Sequence, residues 1–126
     1  MASPGVGLMD RLEVIKFIKD SPVGVLTLLD GDKPYGVPLE HHFNGKTLRF
    51  ITSPRKGRKI DCIKRNPNAC YVIYESRREK PGNVSRCRSV VIEGQVTFDG
   101  ASLEMEIKQI GNWKCPPAMF ATCDVR

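Results

Sequence analysis

The spacing of apolar residues first follows a helical period. Residues 8–20 place four aliphatic side chains about one helical turn apart, namely Leu8, Leu12, Ile15 and Ile18. Ser21-Pro22 follows, and the residue before a proline avoids the helical region. The pattern therefore predicts an amphipathic helix that opens the fold and ends near residue 20.

A period of two then predicts a meander of antiparallel strands. The predicted strands span residues 23–29, 35–43 and 47–52. Asp30-Gly31-Asp32 is a turn signal after the first strand, and Asn44-Gly45 is a strong hairpin signal after the second. These turns are too tight for the crossovers that parallel strands need.

The second half of the chain predicts shorter segments. They are a helix at 58–65, a strand at 69–75, a long polar loop at 76–86, a strand at 87–98, a helix at 101–110, an irregular stretch at 113–117 and a last strand at 118–125. Gly94, inside a strand, marks a bulge or a close approach of backbones. Six short strands in 126 residues predict one domain, residues 1–126, that is mainly β with short helices and folds as a six-stranded antiparallel barrel, either a closed or a split β-barrel.

Charge and cysteine usage narrow the class of protein. The net charge of +6 favours an anionic partner, such as a phosphorylated cofactor, a nucleic acid or a membrane surface. The five cysteines are odd in number and form no CxxC pair, which favours thiols in a reducing compartment. Because residues 1–7 lack the features of a signal peptide and no apolar run reaches the ~20 residues of a membrane span, we expect a cytoplasmic protein.

The segment Thr52–Lys59 (TSPRKGRK) is the strongest candidate site. It combines two hydroxyl groups and four cations where a predicted strand ends and a predicted helix begins. A helix N-terminus offers unpaired N–H groups and partial positive charge, and hydroxyl and cationic side chains beside it complete an anion site. The segment predicts a phosphate-binding junction, and a solvated basic loop is the alternative.

His41-His42 is a second candidate, for a proton donor or a ring contact. Neighbours on a strand point to opposite faces, so at most one of these side chains faces any single site. One exposed and one half-buried histidine without a chemical role is the alternative. The chain has no third histidine and no metal-type cysteine spacing, so we predict no metal site.

Four stretches taken together resemble a known family. They occur in the family's order and are Tyr35–Leu39, Thr52–Asp61, Arg65–Cys70 and Arg88–Gly94. With them the chain resembles the pyridoxamine 5'-phosphate oxidase-like FMN-binding split barrels, and within these the nitroimidazole-reductase-like branch. The resemblance covers roughly residues 9–100 and leaves the C-terminal part outside the pattern.

The resemblance implies a homodimer with two FMN molecules in the interface. Its cofactor-binding positions match Val37, Pro38, Leu39, Glu40, Thr52, Ser53, Arg58, Lys59 and Ser89 in this sequence. The resemblance implies that the first four contact the flavin ring through their backbone, that the next four bind the phosphate, and that Ser89 lies in a strand that approaches the cofactor. No catalytic residue is assigned.

The residues and the resemblance together predict a flavoprotein. We expect an FMN-dependent oxidoreductase, pyridoxamine-phosphate-oxidase-like or nitroreductase-like, that passes electrons from a reduced nicotinamide such as NAD(P)H, or another donor, to a small acceptor. A non-catalytic FMN carrier or sensor is the main alternative. A basic nucleic-acid-binding barrel is the second, and the lack of repeated exposed aromatics in the strands argues against it. We predict neither a nucleic-acid nor a membrane partner.

Overall fold

The computed structural model describes residues 8–52, 57–79 and 84–115. These residues form two helices and six strands, which are α1 (Arg11–Asp20), β1 (Val23–Asp30), β2 (Lys33–Phe43), β3 (Thr47–Ile51), α2 (Arg58–Arg65), β4 (Asn68–Glu79), β5 (Val84–Phe98) and β6 (Leu103–Lys114). The two helices and the first three strands lie where the sequence pattern predicts them.

The six strands close into one antiparallel barrel. Their order around it is β1-β2-β3-β6-β5-β4. Leucine, isoleucine, valine and aromatic side chains alternate along the strands, and one face of the alternation fills the interior. The prediction of a six-stranded antiparallel split barrel with short helices is confirmed.

The two helices pack at opposite ends of β1, β4 and β5. The α1 helix lies near the start of β1 and of β5, where the ring of its Phe17 lies 4.6 Å below the Arg88 guanidinium. The α2 helix lies near the end of β1 and contacts β5. It buries Ile60, Cys62 and Ile63 toward the barrel. Each helix therefore covers a different end of these strands.

The prediction of a helix at 101–110 is wrong, because most of this segment belongs to strand β6. Leu103 and Met105 are buried while Glu104 and Glu106 are exposed, which is the alternation of a strand. Glutamate, methionine and lysine favour helices intrinsically, but pairing with β3 and β5 decides the local structure. The strand also includes Trp113, which was expected in an irregular stretch.

The loop predicted at 76–86 is also wrong over most of its length. Strand β4 continues to Glu79, and β5 begins at Val84, with backbone pairs that include Arg77 and Arg86. The polar composition suggested a loop, but the backbone of this segment is paired as a strand. Polar and charged side chains are compatible with a strand because the outward face of an antiparallel sheet can be exposed to water. The last strand predicted at 118–125 lies outside the described residues.

Gly94 is the close-approach point that the sequence predicts. Glu93 pairs with Gln109 but Gly94 pairs with Ile107, so Lys108 is an extra residue that forms a bulge in β6. A Cβ atom at Gly94 would lie 2.0 Å from the backbone oxygen of Glu106. Glycine is therefore required at this position by the backbone of the neighbouring strand.

Candidate functional site

The β2 segment that the sequence predicts at the flavin ring has two faces. Val37 and Leu39 point toward the barrel interior, whereas Pro38 and Glu40 are exposed on its outside. Pro38 pairs with Val25 of β1, so its outward side chain belongs to the outer surface of several strands. The backbone of this segment lies on that surface, as a ring contact through backbone atoms requires.

One row of side chains continues across the outer surface. Val25 pairs with Val72 of β4, which pairs with Val91 of β5. Val25 is 43% exposed and Val91 38%. A neighbouring row adds Val23 and Tyr74, which line one cleft together and are 45% and 63% exposed. We call Val23, Val25, Val72, Tyr74 and Val91 the outer apolar face.

Ser89 lies at the edge of the outer apolar face. It pairs with Tyr74 on one side and with Trp113 on the other, and it is half-buried. The structure therefore brings Ser89 onto the same surface as Pro38 and Glu40, separated by the intervening strands β1 and β4. The inward side chains of Val37 and Leu39 do not reach this surface.

Thr52 lies beside the β2 segment. It follows Ile51, which pairs with Glu40, and it is half-buried. Ser53, the second predicted hydroxyl, lies outside the described residues. The next described residue of the phosphate junction is Gly57. Because it is only five residues further along the chain than Thr52, the two backbones lie within about 18 Å of each other.

The N-terminus of α2 has no side-chain cap among the residues that the structure describes. Its N-cap is Gly57, which has a φ of 126° and no side chain that could cap the helix. The N–H of Asp61 donates to Gly57 O at 3.0 Å, which starts the helical hydrogen bonds. Within residues 8–52, 57–79 and 84–115, no side-chain cap therefore meets the N–H groups of the first turn, which carry the positive end of the helix dipole.

The two cations of this turn differ in their partners. Lys59 is half-buried and has no ion pair within the described residues. The Arg58 Nε donates to Asp30 Oδ2 at 2.9 Å, and the guanidinium lies 4.0 Å from the centroid of the Tyr35 ring. Arg65 donates to the other Asp30 oxygen at 2.9 Å. The Arg58 side chain thus faces the β1–β2 hairpin.

Asp30 and Tyr35 are residues that sequence reasoning missed. Asp30 was interpreted only as part of a turn, and Tyr35 only as part of a strand that contributes to the family resemblance. Hydrogen bonds from Arg58 and Arg65 lower the pKa of the Asp30 carboxyl, so it carries a negative charge opposite the predicted phosphate site. This carboxylate competes with any anion for Arg58, whereas Lys59 remains available.

His41 belongs to the core of the barrel. It is 7% exposed, whereas His42 is exposed, so the two side chains do point to opposite faces. The His41 Nε2–H donates to Ile18 O at 2.8 Å, and its Nδ1 lies 2.6 Å from the Tyr71 hydroxyl. The same hydroxyl lies 2.9 Å from Leu39 O, and its single hydrogen is donated to Nδ1 when the imidazole is neutral. Burial lowers the pKa of His41 and raises that of Tyr71.

A cleft of about 500 Å³ adjoins the outer apolar face at the α1 end. Its lining includes Val23 and Tyr74, and a charged pair from β4 and β5 forms part of its wall. In this pair the Arg88 guanidinium donates through Nη2 to Glu75 Oε1 at 2.8 Å. The cleft combines an apolar side with a fixed, neutralised ion pair.

A comparison of sequences decides the family. The sequence profile described as pyridoxamine 5'-phosphate oxidase matches residues 10–99, which is most of the chain. The chain belongs to the pyridoxamine 5'-phosphate oxidase family. The matched region includes both strands of the outer surface that carry predicted site residues, and the α2 helix. The resemblance inferred from the sequence is confirmed at the level of the family, and no curated protein has significant sequence similarity to the chain.

Solved structures share the family's barrel. An FAD-binding protein from Mesorhizobium loti superposes with a TM-score of 0.71 at 19% identity, over 86% of this chain and 97% of that one. A proposed 5-nitroimidazole antibiotic resistance protein from Bacteroides thetaiotaomicron gives 0.69 at 16% identity, over 86% of each chain. The FAD-binding protein from Mycobacterium smegmatis gives 0.69 at 16%, over 86% and 97%. At these identities the likeness establishes the fold.

Among the described residues, no group of three or more histidine, cysteine, aspartate or glutamate side chains lies close enough to hold a metal ion. Neither described helix has the length and apolar character needed to cross a membrane.

Proposed function

We propose that the chain binds FMN, with the phosphate at the N-terminus of α2. The observation that carries the proposal is that, among the described residues, the first turn has no side-chain cap and the neighbouring Lys59 has no ion pair. N–H groups at a helix N-terminus and a neighbouring ammonium group together satisfy a phosphate monoester. Membership of the pyridoxamine 5'-phosphate oxidase family and the FAD-binding neighbours support a flavin as the group that carries the phosphate.

The flavin ring would lie along the backbone of β2 near Pro38 and Glu40. Thr52 lies next to this segment, and Ser89 lies on the same outer surface. An exposed apolar surface next to these residues suits a largely apolar ring. The fit of Arg58 to the phosphate is less direct, because Asp30 holds its guanidinium at 2.9 Å. We therefore assign the main phosphate contact to Lys59.

The proposed active form is a homodimer. A small soluble monomer rarely exposes a continuous apolar patch of the kind that Val23, Val25, Tyr74 and Val91 form. A second copy of the chain would cover this face and complete the flavin site from both sides. Isologous pairing of one patch with itself needs no further partner.

The bound flavin would supply the redox chemistry. The proposed reaction passes electrons from NAD(P)H or another donor to a small acceptor, while the chain binds and orients the flavin. The cleft beside Tyr74 and Arg88 is a route by which a small molecule could approach the outer surface. Oxidation of NAD(P)H with an added acceptor separates this oxidoreductase from a carrier or sensor that only holds flavin.

Calorimetric titration with FMN, FAD and riboflavin tests the cofactor. We expect FMN to bind and Lys59→Ala to weaken it roughly ten- to a hundredfold, since a charge-assisted hydrogen bond contributes about 1.5–3 kcal/mol. Riboflavin has no phosphate, so its binding should change little. Lys64→Ala, at the other end of α2, is the matched control. Tighter binding of FAD than of FMN, or equal loss of FMN and riboflavin, would contradict the assignment.

Sedimentation velocity tests the homodimer. Val25→Glu places a charge at the centre of the outer apolar face and should convert the dimer to monomer. Lys46→Glu, in the exposed β2–β3 turn, is a control for charge alone. A wild-type chain that sediments as a monomer at micromolar concentration would exclude the dimer without excluding flavin binding.

A further inference from the structure

Two cysteines face each other across neighbouring strands. Arg88 of β5 pairs with Lys114 of β6, so Cys87 stands opposite Cys115 as the next pair along the ladder. The N–H of Cys115 donates to Cys87 O at 2.8 Å, which continues the ladder through this pair. Directly opposite residues of antiparallel strands point to the same side of the sheet. The two thiols therefore share one face.

The separation of such a pair suits a disulfide. Opposite residues joined by backbone hydrogen bonds have Cα atoms about 5.5 Å apart, within the range of roughly 4.4–6.8 Å that disulfides span. Their Cβ atoms are about 4.5–5.5 Å apart, slightly more than the roughly 3.5–4.5 Å of a relaxed bridge. Closing the bridge therefore draws the two strands together, and a bridge of this kind is easily reduced.

The two thiols differ in access. Cys87 is half-buried, whereas Cys115 is 4% exposed. The Cys87 Sγ lies 3.5 Å from the Tyr74 hydroxyl and 3.6 Å from Ser76 Oγ, on the side of β4. Rotation about its Cα–Cβ bond turns the sulfur from β4 toward β6 without moving the backbone. An oxidant in solution reaches Cys87 first.

We propose that Cys87 and Cys115 form a reversible redox pair. The Cys87 thiolate attacks a small-molecule disulfide, gives a mixed disulfide and releases one small thiol. The Cys115 thiolate then attacks the Cys87 sulfur, forms the intramolecular bond and releases the second small thiol. Two protein thiols are oxidised, one small disulfide is reduced to two thiols, and the two protons lost by the protein end on those thiols. The inference does not depend on flavin binding.

The pair lies next to residues of the candidate site. Ser89 is two residues along β5 from Cys87, and its partner Trp113 is two residues along β6 from Cys115. A bond that draws the strands together at this point changes the edge of the surface to which Ser89 belongs. Oxidation would thus alter the outer surface of the barrel without acting on the core.

Thiol counting by intact mass tests the pair. The full chain is treated with oxidised glutathione, freed of the excess reagent by gel filtration and alkylated in denaturant, and chains that still carry a glutathione adduct are recognised by their added mass. The native protein should take up three alkyl groups where the reduced protein takes up five, one for each cysteine of the sequence. Differential alkylation before and after full reduction should place the two protected sulfurs at Cys87 and Cys115.

Variants separate this bridge from the other possible ones. Cys87→Ser and Cys115→Ser should take up four alkyl groups whether or not they have been oxidised. Cys123→Ser and Cys70→Ser should keep the bridge and take up two groups after oxidation. A bridge that survives Cys115→Ser but disappears in Cys123→Ser would overturn the assignment, as would five alkylated thiols in the oxidised wild-type chain. The wild-type localisation decides the question even if a variant fails to fold.

Discussion

The helices at the two ends of the barrel strands differ in how their polar groups are satisfied. At the α1 end, Asp10 and Glu13 form a capping box, and His41 ties the Ile18 carbonyl to the Tyr71 hydroxyl inside the core. At the α2 end the N-cap is a glycine without a side-chain bond, and the ion pairs of Asp30 are exposed. The first end satisfies its own polar groups, whereas at the second no described side chain caps the N–H groups of the helix.

Because of this difference, we expect the α1 end to contribute mainly to the stability of the fold and the α2 end mainly to ligand binding. A buried hydrogen-bond network is costly to break, because each group left without a partner loses its hydration as well. Exposed ion pairs contribute little, since water and salt screen them. We therefore expect changes at the α1 end to alter unfolding and changes at the α2 end to alter ligand affinity.

The largest effect is expected from His41→Ala. The change removes the donor to Ile18 O, leaves a cavity beside Tyr71 and should cost about 2–4 kcal/mol of unfolding free energy. Urea denaturation of the variant measures this cost. His42→Ala, at an exposed neighbour, should stay within about 0.5 kcal/mol of the parent. Equal effects of the two substitutions would show that the network does not stabilise the fold.

Gly24→Ala is the second substitution that we expect to destabilise the α1 end of the barrel. A Cβ at Gly24 would lie 2.5 Å from the Tyr71 ring, which cannot move without disturbing His41. Overpacking of this kind costs about 1–3 kcal/mol. Gly36→Ala is the matched control on the adjacent strand, because its Cβ would make an ordinary contact of 3.4 Å with Val25. A thermal shift in Gly36→Ala as large as that in Gly24→Ala would argue against the steric account.

The same network predicts a dependence of stability on pH. Burial, the largest cause, lowers the pKa of His41 below 6.5, and its bond to the Ile18 carbonyl opposes this in part. The unfolded chain therefore binds a proton near pH 6.5 while the folded chain does not, so the unfolding free energy falls as the pH drops below that value. The slope from this group is at most about 1.4 kcal/mol per pH unit.

Denaturant titrations between roughly pH 5 and pH 8 check this dependence. His41→Gln removes the titrating group and should flatten the profile in this window, while His42→Gln should leave the slope in place. Stability that rises on acidification would instead mean that His41 is protonated in the folded chain and donates to Tyr71 through Nδ1.

The residues at the two ends show how far the sequence alone could reach. Alternation along a strand is a local property, so it correctly predicted that His41 and His42 point to opposite faces. Which of them is buried depends on the register of β2 against β3, where His41 pairs with Phe50. Period-two spacing in Leu103–Ile107 was also present in the sequence, but the helix-forming residues between the apolar positions masked it.

The surroundings of the two cations at the start of α2 could not be predicted from the sequence. The sequence correctly placed them at the start of a helix, but consecutive helical residues point about 100° apart and meet different surroundings. Arg58 meets Asp30, which is 28 residues away in the chain, and Lys59 does not. No local pattern contains that contact, so only the folded chain distinguishes the two side chains.

The smallest effect is expected from a substitution at the α2 end. Asp30→Asn removes the charge that holds Arg58 and Arg65 but keeps the size of the side chain. Because these ion pairs are exposed, the denaturation midpoint should barely change. The freed Arg58 can then turn toward an anion at the helix N-terminus.

Loss of the Asp30 charge should therefore tighten FMN binding roughly two- to fivefold, the scale of an exposed charge pair, and leave riboflavin binding unchanged. Asp32→Asn, in the same turn and without an ion pair in the described residues, controls for net charge. Raised salt should shrink the gain, since screening acts on exposed charges first. Weaker FMN binding in Asp30→Asn would show that the carboxylate orients Arg58 for the ligand and does not compete with it. In that case both cations of the turn, and not Lys59 alone, would bind the phosphate.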